Sequence, residues 1–127
     1  MNDLRTPLAK VRGLGSAKDG THHFWVQRVS ALALTPLVIW FGLSVASLPN
    51  ASYASVVQWL DSPFNVVMLV STLIAGFYHG ALGLQVIIED YVSEEWVRIA
   101  AIIAVQLVSF FLAALGIVAA LKISLGA

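Results

Sequence analysis

The sequence predicts an all-α integral membrane protein with three transmembrane helices, part of a heteromeric helix bundle, and two observations carry that expectation. Hydrophobic residues make up 59% of the chain and charged residues only 11%, where an ordinary soluble domain is about a quarter charged. Three runs, Val29 to Leu48, Pro63 to Ile88 and Ile99 to Leu121, carry no Asp, Glu, Lys or Arg, and each reaches the roughly 20 residues a helix needs to cross the hydrocarbon core. Lipid offers no water to an open backbone, so such runs must be helical. The formal net charge of +0 leaves no basic excess to hold a polyanion, which excludes nucleic acid as a natural partner. With no cysteine, the chain itself forms no disulfide, thiolate metal site or iron–sulfur ligation.

Residues 1–23 read as an N-terminal cytoplasmic segment, and residues 24–127 as a three-helix anchor domain with helices at about 24–48, 63–90 and 96–122. Met1 to Gly20 mix Gly, Pro and charge without periodicity, as expected of an arm that is loosely ordered or laid on a partner. In the first helix Pro36 predicts a kink, with the hydroxyl of Thr35 helping to satisfy a freed carbonyl. Ser44-Val45-Ala46 resembles a signal cleavage site, but the polar leader with Gly13, Gly15 and Gly20 is too long for a secretory signal. The segment is therefore kept as a helix.

Arg5, Lys10, Arg12, Lys18 and Arg28 precede or open the first helix, whereas the connection from Pro49 to Ser62 has no Lys or Arg. The positive-inside rule then puts the N-terminus in the cytoplasm, returns the Glu89 to Arg98 connection to that side, and leaves the tail with Lys122 outside. A mitochondrial-matrix orientation reads the same way. Trp25, Trp59, Trp96, Tyr53 and Tyr91 fall near helix ends, where amphipathic rings favour the headgroup layer, while Trp40 alone falls deep. Three helices make a thin bundle with little interior, so a larger assembly is expected.

His79 stands out within the second run. It lies eleven residues before Asp90, about 16 Å along a helix, near the middle of a hydrocarbon layer roughly 30 Å thick. Thr72, Gly83, Val86 and Asp90 share its helix face within roughly 40°, with Gly76 beside them. Gly76, Gly80 and Gly83 remove bulk around the ring, serving either close helix packing or a flat ligand laid on the backbone. An imidazole at that depth must be bonded, and three roles compete: interhelical hydrogen bonding, proton relay and axial ligation of haem. The other histidines, His22 and His23, lie at the cytoplasmic mouth, so a second histidine ligand to haem has to come from another subunit.

The topology brings "THHFWVQR" (Thr21 to Arg28) and "EDYVSEEW" (Glu89 to Trp96) to one membrane face. Arg28 there is either a snorkelling anchor or a partner for a propionate. Asp90 emerges on the His79 face and is a candidate ion-pair partner, local or on another chain. Tyr91 is either an aromatic-belt anchor or a phenolic donor to a quinone carbonyl. Glu89, Glu94 and Glu95 read as solvated surface charge that also meets a partner.

On "HHFWVQRVSALALTPL" and "HGALGLQVIIEDY", the chain resembles the smaller hydrophobic membrane anchor subunits of succinate dehydrogenase, respiratory complex II, of the alphaproteobacterial type. The resemblance covers most of the length. It implies a complex of the bacterial inner membrane in which a flavoprotein with FAD, an iron–sulfur subunit with its clusters, and a larger cytochrome b anchor accompany this chain. It further implies that His79 ligates haem b from one side, that Asp90 and Tyr91 lie at the ubiquinone site, and that Arg28 and His22 lie near the haem propionates. Residue 23 is a histidine where some members carry an acidic residue, and no role is carried over to it. The absence of an Arg-His pair after Gly83 separates the chain from the larger anchors. Two other readings are open: an anchor of the same complex without haem, and a small homo-oligomeric transporter subunit. The transporter wants a carboxylate inside a span, and every Asp and Glu lies outside the charge-free runs.

Overall fold

The computed structural model describes Thr6, Leu8, residues 20–50 and residues 52–126. Most of the N-terminal arm, and with it the expectation that it is loosely ordered, lies outside the described residues. Among the described residues the elements are α1 (Gly20–Ala46), α2 (Tyr53–Leu60), α3 (Pro63–Tyr91) and α4 (Glu95–Ser124), with no strand. Three of them are long and apolar enough to cross a membrane, at 26, 29 and 30 residues. Each is longer than a roughly 30 Å core requires, so the helix ends stand in the headgroup layers or the helices tilt.

α1 runs unbroken through Pro36. Proline has no N–H, so the carbonyl left without its helical donor is that of Leu32. The Thr35 hydroxyl donates instead to the Ala31 carbonyl at 2.8 Å. This corrects the expected rescue: from position 35 the hydroxyl reaches its own i−4 carbonyl, one residue short of the freed group.

The connection between the first two spans holds α2, which the charge-free runs did not announce. Ser52 caps it, its hydroxyl accepting the Ser55 N–H at 3.2 Å, while Asn50 Oδ1 accepts from the Ser55 hydroxyl at 2.6 Å. Tyr53, Val56, Val57 and Leu60 recur at helical spacing, and Leu60 is only 2% exposed. The Trp59 ring stacks on Trp40 at 5.7 Å, and Phe64 meets Trp40 edge-on at 6.2 Å. Trp40 is thus the α1 member of an aromatic cluster with the end of α2 and the start of α3. Asn65 Nδ2 donates to the Trp59 carbonyl at 2.8 Å, closing the turn from α2 into α3. α2 packs against both α3 and α4.

α3 opens on Pro63 at a first-turn position, where the missing N–H is not needed. It is the central helix: α1 packs on one side of it and α4 on the other, and α1 and α4 do not pack on each other. The spans therefore form an open row rather than a closed bundle. Few described residues are buried: Leu60, Val66, Ala120 and one polar residue, Ser30. In lipid an apolar flank needs no cover, and helix pairing rests on close approach at small residues. Gly116 of α4 is such a point, since a Cβ there would stand 3.1 Å from Leu73 Cδ1 of α3. Glu95 in the first turn of α4 and Lys122 in its last both oppose the helix dipole favourably.

Candidate functional site in the α1–α3 seam

α1 and α3 run antiparallel with a register fixed by three contacts. A Cβ on Gly76 would lie 3.8 Å from Leu34 Cδ1, and one on Gly83 would lie 3.6 Å from Gln27 Nε2. Between them, His79 Nδ1 stands 3.0 Å from Ser30 Oγ. Of the two uses open to the glycines, Gly76 and Gly83 serve helix approach, because α1 side chains occupy the space in front of them. Gly80 points elsewhere, with nothing among the described residues within 4 Å of its Cβ position.

Ser30 is 9% exposed, and its hydroxyl is also 3.0 Å from the Gln27 carbonyl. A hydroxyl has one proton, and a carbonyl can only accept. Both contacts are hydrogen bonds at once only if Ser30 donates to Gln27 and accepts from His79, which puts the imidazole proton on Nδ1. The lone pair of His79 then sits on Nε2, which makes no hydrogen bond among the described residues. Nor is that nitrogen sealed in: the buried side-chain atoms without a partner are His23 Nε2 and Gln27 Oε1. An interhelical bond is therefore present at His79, and it engages one ring nitrogen while leaving the other available to a ligand.

The same register brings the start of α1 and the end of α3 to one face, as the topology required. His22 and Arg28 lie away from the seam and are exposed; the Arg28 guanidinium sits over the Phe24 ring at 4.9 Å. Within this chain neither approaches His79. Asp90 is exposed and has no partner among the described residues. Tyr91 is 84% exposed and projects from the last residue of α3. Glu89, by contrast, is engaged, accepting from Gln85 Nε2 at 2.8 Å.

Three seam residues were not singled out in the sequence: His23 as a seam member, Gln27 and Ser30. The signal for them was helical phase, since 23, 27, 30 and 34 recur at i, i+4, i+7 and i+11 on one face of α1. A groove of about 550 Å³ between α3 and α4, lined by Phe77, Tyr78, Gln85, Gln106, Ser109 and Phe110 among others, contains none of the predicted site residues. Among the described residues there is no cluster of three or more His, Cys, Asp or Glu side chains able to hold a bare metal ion.

Residues 2–113 match the family model for the succinate dehydrogenase/fumarate reductase transmembrane subunit. The chain belongs to that family. Relatives include the succinate dehydrogenase hydrophobic membrane anchor subunit of Rickettsia conorii, 38% identical over 83% of this chain and 84% of the relative. The anchor subunit of that name from Paracoccus denitrificans is 34% identical over 96% of this chain and 94% of its own length. A membrane anchor subunit from Reclinomonas americana is 32% identical over 72% of this chain and 79% of its own. No solved structure matches the chain. Membership makes this chain one membrane subunit of an oxidoreductase complex, and its outward-facing Tyr91, Asp90, Arg28 and His22 are side chains free to meet other subunits.

Proposed function

We propose that the chain anchors a succinate:quinone oxidoreductase, docking its flavoprotein (FAD) and iron–sulfur subunits, ligating haem b through His79 and lining the ubiquinone site with Tyr91 and Asp90. The observation that carries this is the half-satisfied imidazole: Nδ1 held by Ser30 at 3.0 Å, Nε2 open, at mid-span. Metal-bound histidines commonly donate their other ring N–H to a fixed acceptor, which sets the tautomer and aims the ring. Ser30 is such an acceptor, so the donor chemistry of this seam fits haem iron.

One chain supplies one axial ligand. His23, the nearer of the other two histidines on the shared face, lies seven residues from Ser30 along α1, about 10 Å towards the mouth. It is too far along the helix to share an iron with His79, so a second ligand would come from the larger cytochrome b anchor subunit. When bound, haem b supplies a one-electron carrier within the membrane. His79 would hold the group through Nε2, and Gly76 and Gly83 let α1 come close enough for Ser30 to hold the ring.

At the mouth, the Tyr91 phenol donates a hydrogen bond to a quinone carbonyl while the isoprenoid tail stays in lipid. Asp90, without a partner among the described residues, holds an arginine of a neighbouring subunit in place. Arg28 and His22 face outward and meet the haem propionates, the guanidinium offering a fixed charge at the edge of an apolar layer. The basic start of α1 faces the bacterial cytoplasm, and the C-terminus the periplasm. Purification of the tagged chain in mild detergent tests the assignment. The expected result is co-purification of a flavoprotein, an iron–sulfur protein and a second multi-pass subunit, with a b-type reduced-minus-oxidised spectrum. A stable complex of those subunits without haem absorbance would overturn the haem assignment.

A further inference from the structure

We propose that Ser30 is the positioning residue of His79: its hydroxyl holds the imidazole with the proton on Nδ1 and so presents an unprotonated Nε2 to the iron. The inference rests on the assignment of His79 as a haem ligand and goes beyond it, because it concerns a side chain on another helix that never touches the cofactor.

Ser30 is the one buried polar residue among those described, and its two contacts define its state. The Gln27 carbonyl at 3.0 Å takes the hydroxyl proton. The remaining lone pairs of Oγ face His79 Nδ1 at 3.0 Å. In the opposite tautomer Nδ1 would have to accept, the hydroxyl would turn away from Gln27, and one of the two bonds would be lost. In a low-dielectric span the arrangement that keeps both is favoured. The seam is also built to hold this geometry. Gly76 and Gly83 flank the ring on α3, and Leu34 and Gln27 close over them from α1, so Ser30 is carried to His79 by backbone packing rather than by a flexible side chain. An alanine at 30 would leave Nδ1–H with no acceptor from this chain and the ring free to rotate about its side-chain torsions.

The test compares the purified complex carrying Ser30→Ala, Ser30→Thr and His79→Ala, each checked for full subunit composition. Haem content is followed during transfer to excess apomyoglobin, and the haem midpoint potential and low-spin electron paramagnetic resonance signal are recorded. Ser30→Ala is expected to retain the protein subunits but lose haem to the acceptor roughly 10- to 100-fold more readily, the usual effect of removing a partner of a metal-bound histidine. Its potential and resonance signal should shift as the ring loses its fixed orientation, and Ser30→Thr, which keeps the hydroxyl, should restore both. Haem retention, potential and signal unchanged in Ser30→Ala, or no restoration by Ser30→Thr, would overturn the proposal. The two levels separate cleanly. Full haem in His79→Ala would sink the ligand assignment itself, whereas haem lost in His79→Ala but held normally in Ser30→Ala would sink only the role of Ser30.

Discussion

Gly83 offers a graded probe of the α1–α3 seam. A Cβ at this position would meet Gln27 Nε2 at 3.6 Å, an ordinary van der Waals separation, so Gly83→Ala should fit without movement. Valine is different. Each Cγ reaches about 1.5 Å beyond Cβ, and the rotamers available to a β-branched residue in a helix direct at least one of them along the packed face. Meeting Gln27 at roughly 2 to 2.5 Å is not tolerated, given the 3.5 to 4 Å that carbon contacts require, so the helices part or Gln27 is displaced. Gln27 Nε2 is the far end of a flexible side chain, so its displacement is the cheaper course, and the Ser30–His79 bond of 3.0 Å one turn away is kept. Overpacking against fixed atoms costs about 1 to 3 kcal/mol, and a clash relieved by one side-chain rotation falls at the low end of that range. Gly83→Val should thus destabilise the chain by about 1 kcal/mol with haem retained, while Gly83→Ala, at ordinary contact distance from Gln27, leaves stability at or above the parent's. Thermal inactivation and haem-to-protein ratio of the purified complex measure both. Adding Gln27→Ala to Gly83→Val should restore the parent's stability, and a loss unchanged by Gln27→Ala would refute the closeness of Gln27 to Gly83 at this turn.

Further expectations follow from single contacts. Tyr91→Phe should lower quinone reduction by roughly 3- to 10-fold, the loss of one neutral hydrogen bond of about 0.5 to 1.5 kcal/mol, with succinate oxidation by an artificial acceptor unchanged; equal loss of both activities would count against a quinone contact. Because Tyr91 is 84% exposed in this chain, the substitution should leave assembly intact. Leu60→Ala should lower the thermal stability of the complex by about 2 kcal/mol or more, since its side chain is 2% exposed beneath α2; an unshifted melting curve would mean that α2 is not docked on α3 and α4. Thr35→Val should change stability by less than about 1 kcal/mol, because the Ala31 carbonyl it bonds at 2.8 Å sits one residue from the group that Pro36 frees; a large loss would restore a special role for that hydroxyl.

The three spans were legible because the absence of charge over some 20 residues leaves a chain in lipid no alternative to a helix. His79 was legible for a related reason: an ionisable ring at mid-span demands a bond, whatever its partner. The partner was not. Ser30 lies 49 residues away in sequence, and a serine inside an apolar helix is unremarkable until the facing helix is known. α1 is apolar around its whole circumference, so hydrophobic periodicity did not reveal which side faces α3; the polar residues His23, Gln27 and Ser30 carried that phase instead. α2 was concealed by its shortness, although Ser52 ahead of Tyr53, Val56, Val57 and Leu60 held both a cap and a helical stripe. The row order, with α3 central, was invisible because each span could present an apolar face to lipid or to a neighbour at similar cost.

The central claim is that the open nitrogen of His79 bonds haem iron, and the reduced-minus-oxidised spectrum of the complex with His79→Ala tests it most directly. Loss of one ring removes a single hydrogen bond from Ser30, which keeps the Gln27 carbonyl at 3.0 Å, so the subunits should still assemble. The account predicts a complete complex whose b-type haem signal is absent or converted to a high-spin form. A complete complex with the parent's low-spin haem spectrum would contradict it.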